Sequence, residues 1–178
     1  MRRWWAAALA VLFCLTAAGC QPKPDSRTDN RPITSGFSCT AAAEYAGMTV
    51  RGRLTRETGG ALTLNVTEPS TLRGALLTLT DDKLTVAIGS LKTSLDPGQY
   101  PQLGAMPVLL SALDAAAALT DGGERTAEGL QFSGETDAGR FSLLSDPVTG
   151  NLLSLTLPDV PLTVTFSDFQ RITPDPTG

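Results

Sequence analysis

The chain has 178 residues, 42% of them hydrophobic and 18% charged, with a formal net charge of −4, three cysteines and no histidine. An acidic balance argues against nucleic-acid binding and against electrostatic docking on anionic lipids. Without histidine the commonest general base and metal ligand are missing, so histidine-based triads are excluded and neither cofactor nor metal is expected.

At the N-terminus, Arg2 and Arg3 precede an apolar run from Trp4 to about Ala18, shorter than the ~20 residues that span a bilayer. A basic head, an apolar middle and small residues before a cut make a secretory signal peptide of residues 1–19. Ala17, Ala18 and Gly19 lead into Cys20. This pattern resembles the lipobox of bacterial lipoproteins, with Ala17 where leucine is usual. The resemblance implies cleavage before Cys20 and a diacylglyceryl thioether, with palmitate-type chains, on its sulfur. An ordinary secreted chain would share the signal; the cysteine at the cut is what points to lipidation. Each buried methylene contributes about 0.8 kcal/mol, so a two-chain anchor is stable where one chain is not.

Cys14 leaves with the signal, and so do Arg2 and Arg3, which takes the formal charge from −4 to −6. Cys39 is then the one remaining thiol, and no intrachain disulfide is expected. Residues 20–35 carry Lys23, Asp25, Arg27, Asp29 and Arg31 among Pro22, Pro24 and Pro32, with Ile33 as the one large hydrophobe. Such a stretch buries too little apolar surface to offset ordering entropy, so a disordered tether is expected there. Residues 36–173 suffice for one hydrophobic core, and 174–178 read as a disordered tail.

From Gly36 the pattern turns to period two, the mark of half-buried strands. Phe37, Cys39, Ala41 and Ala43 alternate with Ser38, Thr40, Ala42 and Glu44, and Met48, Val50, Gly52 and Leu54 with Thr49, Arg51, Arg53 and Thr55. After Glu57-Thr58-Gly59-Gly60 come Leu62, Leu64 and Val66, closed by Pro69. Further strands are predicted at 72–80 and 83–89, joined at Asp81-Asp82, and a shorter one at 91–95. Short connections of this kind make antiparallel hairpins, hence a meander.

The period changes between Met106 and Thr120. Met106, Leu109, Leu110, Leu113, Ala116 and Ala117 share one helical face, Pro107 suits a first turn, and Gly122-Gly123 is a stop. Strands resume at 129–135, 139–145, 151–157 and 161–170, with turn chemistry at Thr136-Asp137-Ala138-Gly139 and Asp146-Pro147-Val148-Thr149-Gly150. The expected fold is mainly β (α+β): a strongly curved antiparallel sheet or half-barrel of 9–11 strands, with one or two helices on its concave face.

That order, behind a lipobox and a polar tether, resembles the lipoprotein-carrier family of LolA, LolB, LppX and LprG over residues 36–172. The local echoes are "AEYAGMTVRGRLTRE", "VTEPSTLRGALLTL", "ALDAAA" and "LTVTFSDFQRI". The chain departs from the family in lacking an evident N-terminal helix and in having one clear interruption helix. The resemblance implies a half-barrel whose concavity can hold acyl chains. A spore-germination lipoprotein of similar fold acts by binding an enzyme, so fold alone does not set activity.

A sheet curved around a helix has a pocket only where the helix stands away from it. Candidate lining residues are Phe37, Met48, Val50, Leu62, Leu64, Val66, Leu84, Val86 and Ile88 from the strands, with Leu109, Leu110 and Leu113 from the helix. Each of these is equally consistent with plain core. A hollow concavity would measure several hundred Å³.

Other features have bland readings. Cys39 lies on an apolar strand face with no histidine to activate it, which suits a buried small hydrophobe. Asp81-Asp82 fits a hairpin tip better than a calcium site. Arg51, Arg53 and Arg56 are expected on a solvated outer face. Asn65-Val66-Thr67 matches a glycosylation sequon but falls in mid-strand.

The expected function is that of a non-enzymatic lipoprotein on the extracytoplasmic face of a cell membrane, or of an outer membrane where one exists. It would bind or carry an acyl chain or similar amphiphile. The alternative is an interaction scaffold that positions or activates a cell-envelope enzyme, with no small-molecule ligand.

Overall fold

The computed structural model describes residues 31–58, 60–80, 83–96, 104–119 and 123–172. The signal peptide, Cys20, most of the tether, the Asp81-Asp82 tip and the 174–178 tail lie outside the described residues.

A single turn of helix, α1 (Arg31–Thr34), leads into β1 (Phe37–Tyr45), β2 (Met48–Arg56), β3 (Leu62–Glu68), β4 (Leu76–Thr80), β5 (Lys83–Ile88) and β6 (Leu91–Leu95). The long helix α2 (Ala105–Ala118) follows, and then β7 (Glu124–Arg125), β8 (Leu130–Thr136), β9 (Gly139–Ser145), β10 (Leu152–Leu157) and β11 (Leu162–Arg171). All eleven strands form one antiparallel sheet in the order β6-β5-β4-β3-β2-β1-β11-β10-β9-β8-β7, curved but not closed into a barrel. The chain starts at the centre of the sheet, steps out to one edge, crosses through α2 to the other edge and steps back until β11 pairs with β1.

That crossover explains where the helix lies. A connection between two opposite edges must pass over a face of the sheet, and α2 buries Met106, Leu109, Ala112, Leu113 and Ala116 as it does so. It packs against β8 and α1. The 3.6-residue period brings these five side chains onto one stripe, so the helix covers the concave apolar face rather than the outer one.

The strand pattern follows the period-two reading closely, with three differences. β4 begins at Leu76 rather than at 72, because Ser70–Leu72 form a single 3-10 turn and Gly74 takes a left-handed φ of 83° that side chains resist. The two-residue β7 was too short to carry a periodic signal. The packed domain also starts earlier than Gly36: Ile33, expected in the tether, is buried among the core residues. One large hydrophobe in a polar stretch gave no period to read, yet the neighbouring helix supplies a surface to bury it.

One end of the sheet is filled by large side chains. Phe37, Leu62 and Leu84 are fully buried there, and Phe37 stacks on Phe169 with ring centroids 5.0 Å apart. Phe169 reaches Phe37 because β11 carries an extra residue opposite Ser38–Thr40, and a bulge of one residue switches which side chains face inward. On the outer face, Arg53 ties three strands together: its Nε donates to Ser38 Oγ at 2.7 Å and its Nη2 to Gln170 Oε1 at 2.8 Å.

Candidate functional site

Along β1 the inward side chains run Phe37, Cys39, Ala41, Ala43, from large to small. At the Phe37 end the side chains are fully buried, and Arg56, opposite Phe37 on β2, pairs with Asp114 of the helix. Toward the Ala43 end, Ala41 and Ala43 on β1 and Ala105 at the start of α2 leave a gap between helix and sheet. The gap is a cavity of about 180 Å³, with Leu54, Leu64, Val66, Met106, Leu109 and Val164 among its lining residues. Tyr45 supplies the one phenol of the lining, and the remaining lining side chains are aliphatic or methionine. Met48 and Leu72 are its most exposed members, 56% and 41% accessible, and mark the opening.

This space is smaller than several hundred Å³. The reason is the depth to which α2 settles: Ala112, Leu113 and Ala116 are completely buried, so the C-terminal half of the helix fills the concavity and only its first turns stand off.

The candidate lining residues divide accordingly. Met48, Val50, Leu64, Val66 and Leu109 line the cavity. Phe37, Leu62, Leu84 and Leu113 are fully buried core outside that lining. Val86 and Leu110 pack on the edge of the core, and Ile88 is exposed. Ala41, Ala43, Ala105 and Met106 were missing from the expected set, although the step from Phe37 to Ala43 on one strand face was visible in the sequence. A hollow is made by small residues, whereas in a sequence it is the large apolar side chains that stand out as a binding surface.

Arg56 corrects the expected grouping of Arg51, Arg53 and Arg56 on an outer face. Arg56 shares parity with Leu54, so its side chain turns inward and is buried, and its Nη2 forms an ion pair with Asp114 Oδ1 on α2. Asp114 keeps 55% of its side chain exposed. Arg56 Nη1 is buried without a hydrogen-bond acceptor among the described residues. Burial holds the guanidinium below its ordinary range, partly opposed by Asp114. The pair sits one inward position beyond Leu54, behind the floor of the cavity, and clips the helix to the sheet.

Cys39 is wholly buried on the concave side of β1, and burial pushes its thiol up to about 12, with Arg53 opposing the shift. Burial of this kind disfavours the thiolate, which is the attacking form of cysteine. No three potential metal-ligating side chains come together among the described residues. Nor is any described helix long and apolar enough to cross a membrane.

Neither a protein-family model nor a curated protein sequence matches the chain. Its fold does have solved counterparts. An uncharacterized conserved protein from Thermus thermophilus superposes with a TM-score of 0.50 at 11% identity, over 82% of this chain and 84% of that one. MucB is similar with a TM-score of 0.46 at 16% identity, where the match covers 83% of this chain and 57% of MucB. The LolA superfamily protein NE2245 from Nitrosomonas europaea gives a TM-score of 0.37 at 12% identity, over 82% of this chain and 91% of that one. At 11% identity the likeness to the Thermus protein is one of fold alone. The sheet of this chain, open and curved with a helix against it, has the layout expected from its sequence.

Proposed function

We propose that this protein is a non-catalytic binding module of the cell envelope, tethered to a membrane through Cys20, that takes an acyl chain of an amphiphile into the cavity beneath the start of α2. The observation that carries the reading is the cavity itself: an apolar hollow between helix and sheet, left open at Met48 and Leu72. Protein interiors leave few voids larger than a water molecule, and an apolar void stays dry and accepts apolar guests. The burial of Cys39, and the lack of histidine, support binding over chemistry.

Two measurements test it. Native mass spectrometry of protein purified from its host should find a bound amphiphile, and titration with a fluorescent fatty-acyl probe should saturate at one site. Empty spectra together with a flat titration end the proposal. Anchoring is tested separately: Cys20→Ser should move the protein from the membrane fraction to the soluble one and remove the acyl mass.

One observation favours the scaffold reading as a second function. β6 is a sheet edge, and Leu91 on it and Ile88 beside it are 76% and 46% exposed. A sheet edge with apolar side chains can accept a strand from another protein. A photo-crosslinker at position 91 should capture one discrete envelope protein in cells; a smear or no adduct counts against it.

A further inference from the structure

The apolar surface of the concave face continues beyond the cavity. Leu72, at the mouth, closes a turn onto the start of β4, its carbonyl accepting from the Ala75 N–H at 2.9 Å. On β4, Leu77 lines the hollow, and Val86 stands opposite it on β5, half-buried against the core. Ile88 is two residues further along the same face of β5 and stands opposite Leu91 on β6. Parity fixes which face this is. Leu84, in step with Val86 and Ile88, is fully buried in the core, and its partner Leu95 is in step with Leu91. Lys83 and Lys92 have the opposite parity, so no charged side chain faces inward on β5 or β6. An uncharged track therefore leads from the cavity across two strands to the edge of the sheet, where Ile88 and Leu91 are 46% and 76% exposed.

We propose that this track holds the outer part of the ligand's chain, and that the ligand is therefore a single unbranched chain of about fourteen carbons or more. Its methyl end lies in the cavity and its polar end past the edge of β6. The inference rests on the acyl-chain reading and adds the ligand class. Volume sets the inner part: a hollow of about 180 Å³ is close to the ~150 Å³ that takes one benzene ring, which gives room for about six or seven carbons of one chain. A second chain has no space beside the first. Distance sets the outer part: β4 to β6 is two strand spacings, about 10 Å, which a zigzag chain with C–C bonds of about 1.5 Å at tetrahedral angles covers in about eight carbons. A chain too long for its pocket needs apolar surface continuous with the mouth, and exposed apolar patches mark such grooves. Ile88 and Leu91 supply it on the same face as the cavity.

The test uses the mature chain and measures displacement of the fluorescent acyl probe by octanoate, decanoate, dodecanoate and tetradecanoate, each below its micelle concentration. A fully buried methylene is worth about fourfold in affinity and a half-covered one about twofold, so each two-carbon step should tighten binding about fourfold. Ile88→Ser combined with Leu91→Ser should leave octanoate within twofold of the parent and cut the advantage of tetradecanoate at least tenfold. Both side chains are exposed, and unchanged octanoate binding reports an intact fold. Leu76→Ser, at an exposed position of opposite parity to Leu77 on β4, should alter neither ligand. Affinity that stops rising at octanoate, or a double variant that weakens short and long chains alike, overturns the track and leaves acyl binding standing. Sedimentation of the parent and the double variant adds a further arm: a dimer lost on the double substitution, with chain-length dependence unchanged, assigns the face to a second copy and overturns the inference. Failure of every alkanoate to displace the probe, with the probe itself unbound, overturns acyl binding and the track with it.

Discussion

Filling the cavity should make the protein more stable and less able to bind. Ala43 lines the hollow from β1, paired with Val50 on one side and Val164 on the other, and Ala43→Leu places three more carbons in it. At about 0.8 kcal/mol per buried methylene the gain is at most about 2.4 kcal/mol. Ordering the new side chain costs roughly 0.5–1 kcal/mol, which leaves about 1.5 kcal/mol. The cavity can supply that much: at about 24 cal/mol per Å³, a sealed void of about 180 Å³ would forgo about 4 kcal/mol, and the open mouth at Met48 and Leu72 lowers that figure. Urea unfolding of the mature chain, followed by far-UV circular dichroism, should show a higher midpoint at unchanged slope, with Tm raised by roughly 2–8 °C. The same variant should bind the fluorescent acyl probe at least tenfold more weakly. A lowered midpoint combined with undiminished binding would refute the reasoning, because the hollow would then be neither empty space nor the ligand site.

The ion pair behind the cavity should respond asymmetrically to its two deletions. Asp114→Ala strands a buried guanidinium and is expected to cost roughly 1–3 kcal/mol, less than a fully buried pair because Asp114 is half in water, whereas Arg56→Met should fall within about 1 kcal/mol of the parent; urea midpoints that rank the two the other way contradict this. The Arg140 guanidinium, hydrogen-bonded at 2.9 and 3.0 Å, holds the Asp159 carboxyl down to about 2. Since the folded value lies below the ordinary ~3.9, this contribution is present above about pH 4 and is lost as pH falls toward 2. The stability gap between the parent and Asp159→Asn should therefore close over that window, and a gap that persists at pH 2 would speak against it. Cys39 should react with an aromatic disulfide reagent at pH 8 only as fast as the protein opens, and immediately in denaturant; fast labelling of the native chain would show that β1 is not packed as described.

Much of this architecture is local and was therefore readable. Strands show period two wherever one face is buried, and β1 and β2 present that alternation plainly: Phe37 through Ala43, then Met48 through Leu54. α2 shows its own period, and the turns at Thr136–Gly139 and Asp146–Gly150 carry residues that close hairpins; Asp146 Oδ1 accepts from the N–H groups of Val148 and Thr149 at 2.9 and 2.7 Å. Even the inward direction of Arg56 was implicit in its parity with Leu54, although a charge on an apolar face reads as misplaced until its partner is known.

The amino-acid sequence by itself determined ten of the eleven described strands, the long helix, the hairpin order and the alternation along the strands, because these depend on neighbours a few residues away. Tertiary structure alone decided how deeply α2 settles, that Asp114 reaches Arg56 across 58 residues of chain, that Ile33 is core, and that the hollow opens beside Ala41, Ala43 and Ala105 instead of beneath Phe37 or Leu62. Those outcomes depend on the summed volumes of side chains from distant elements meeting in one space, and periodicity carries no measure of volume.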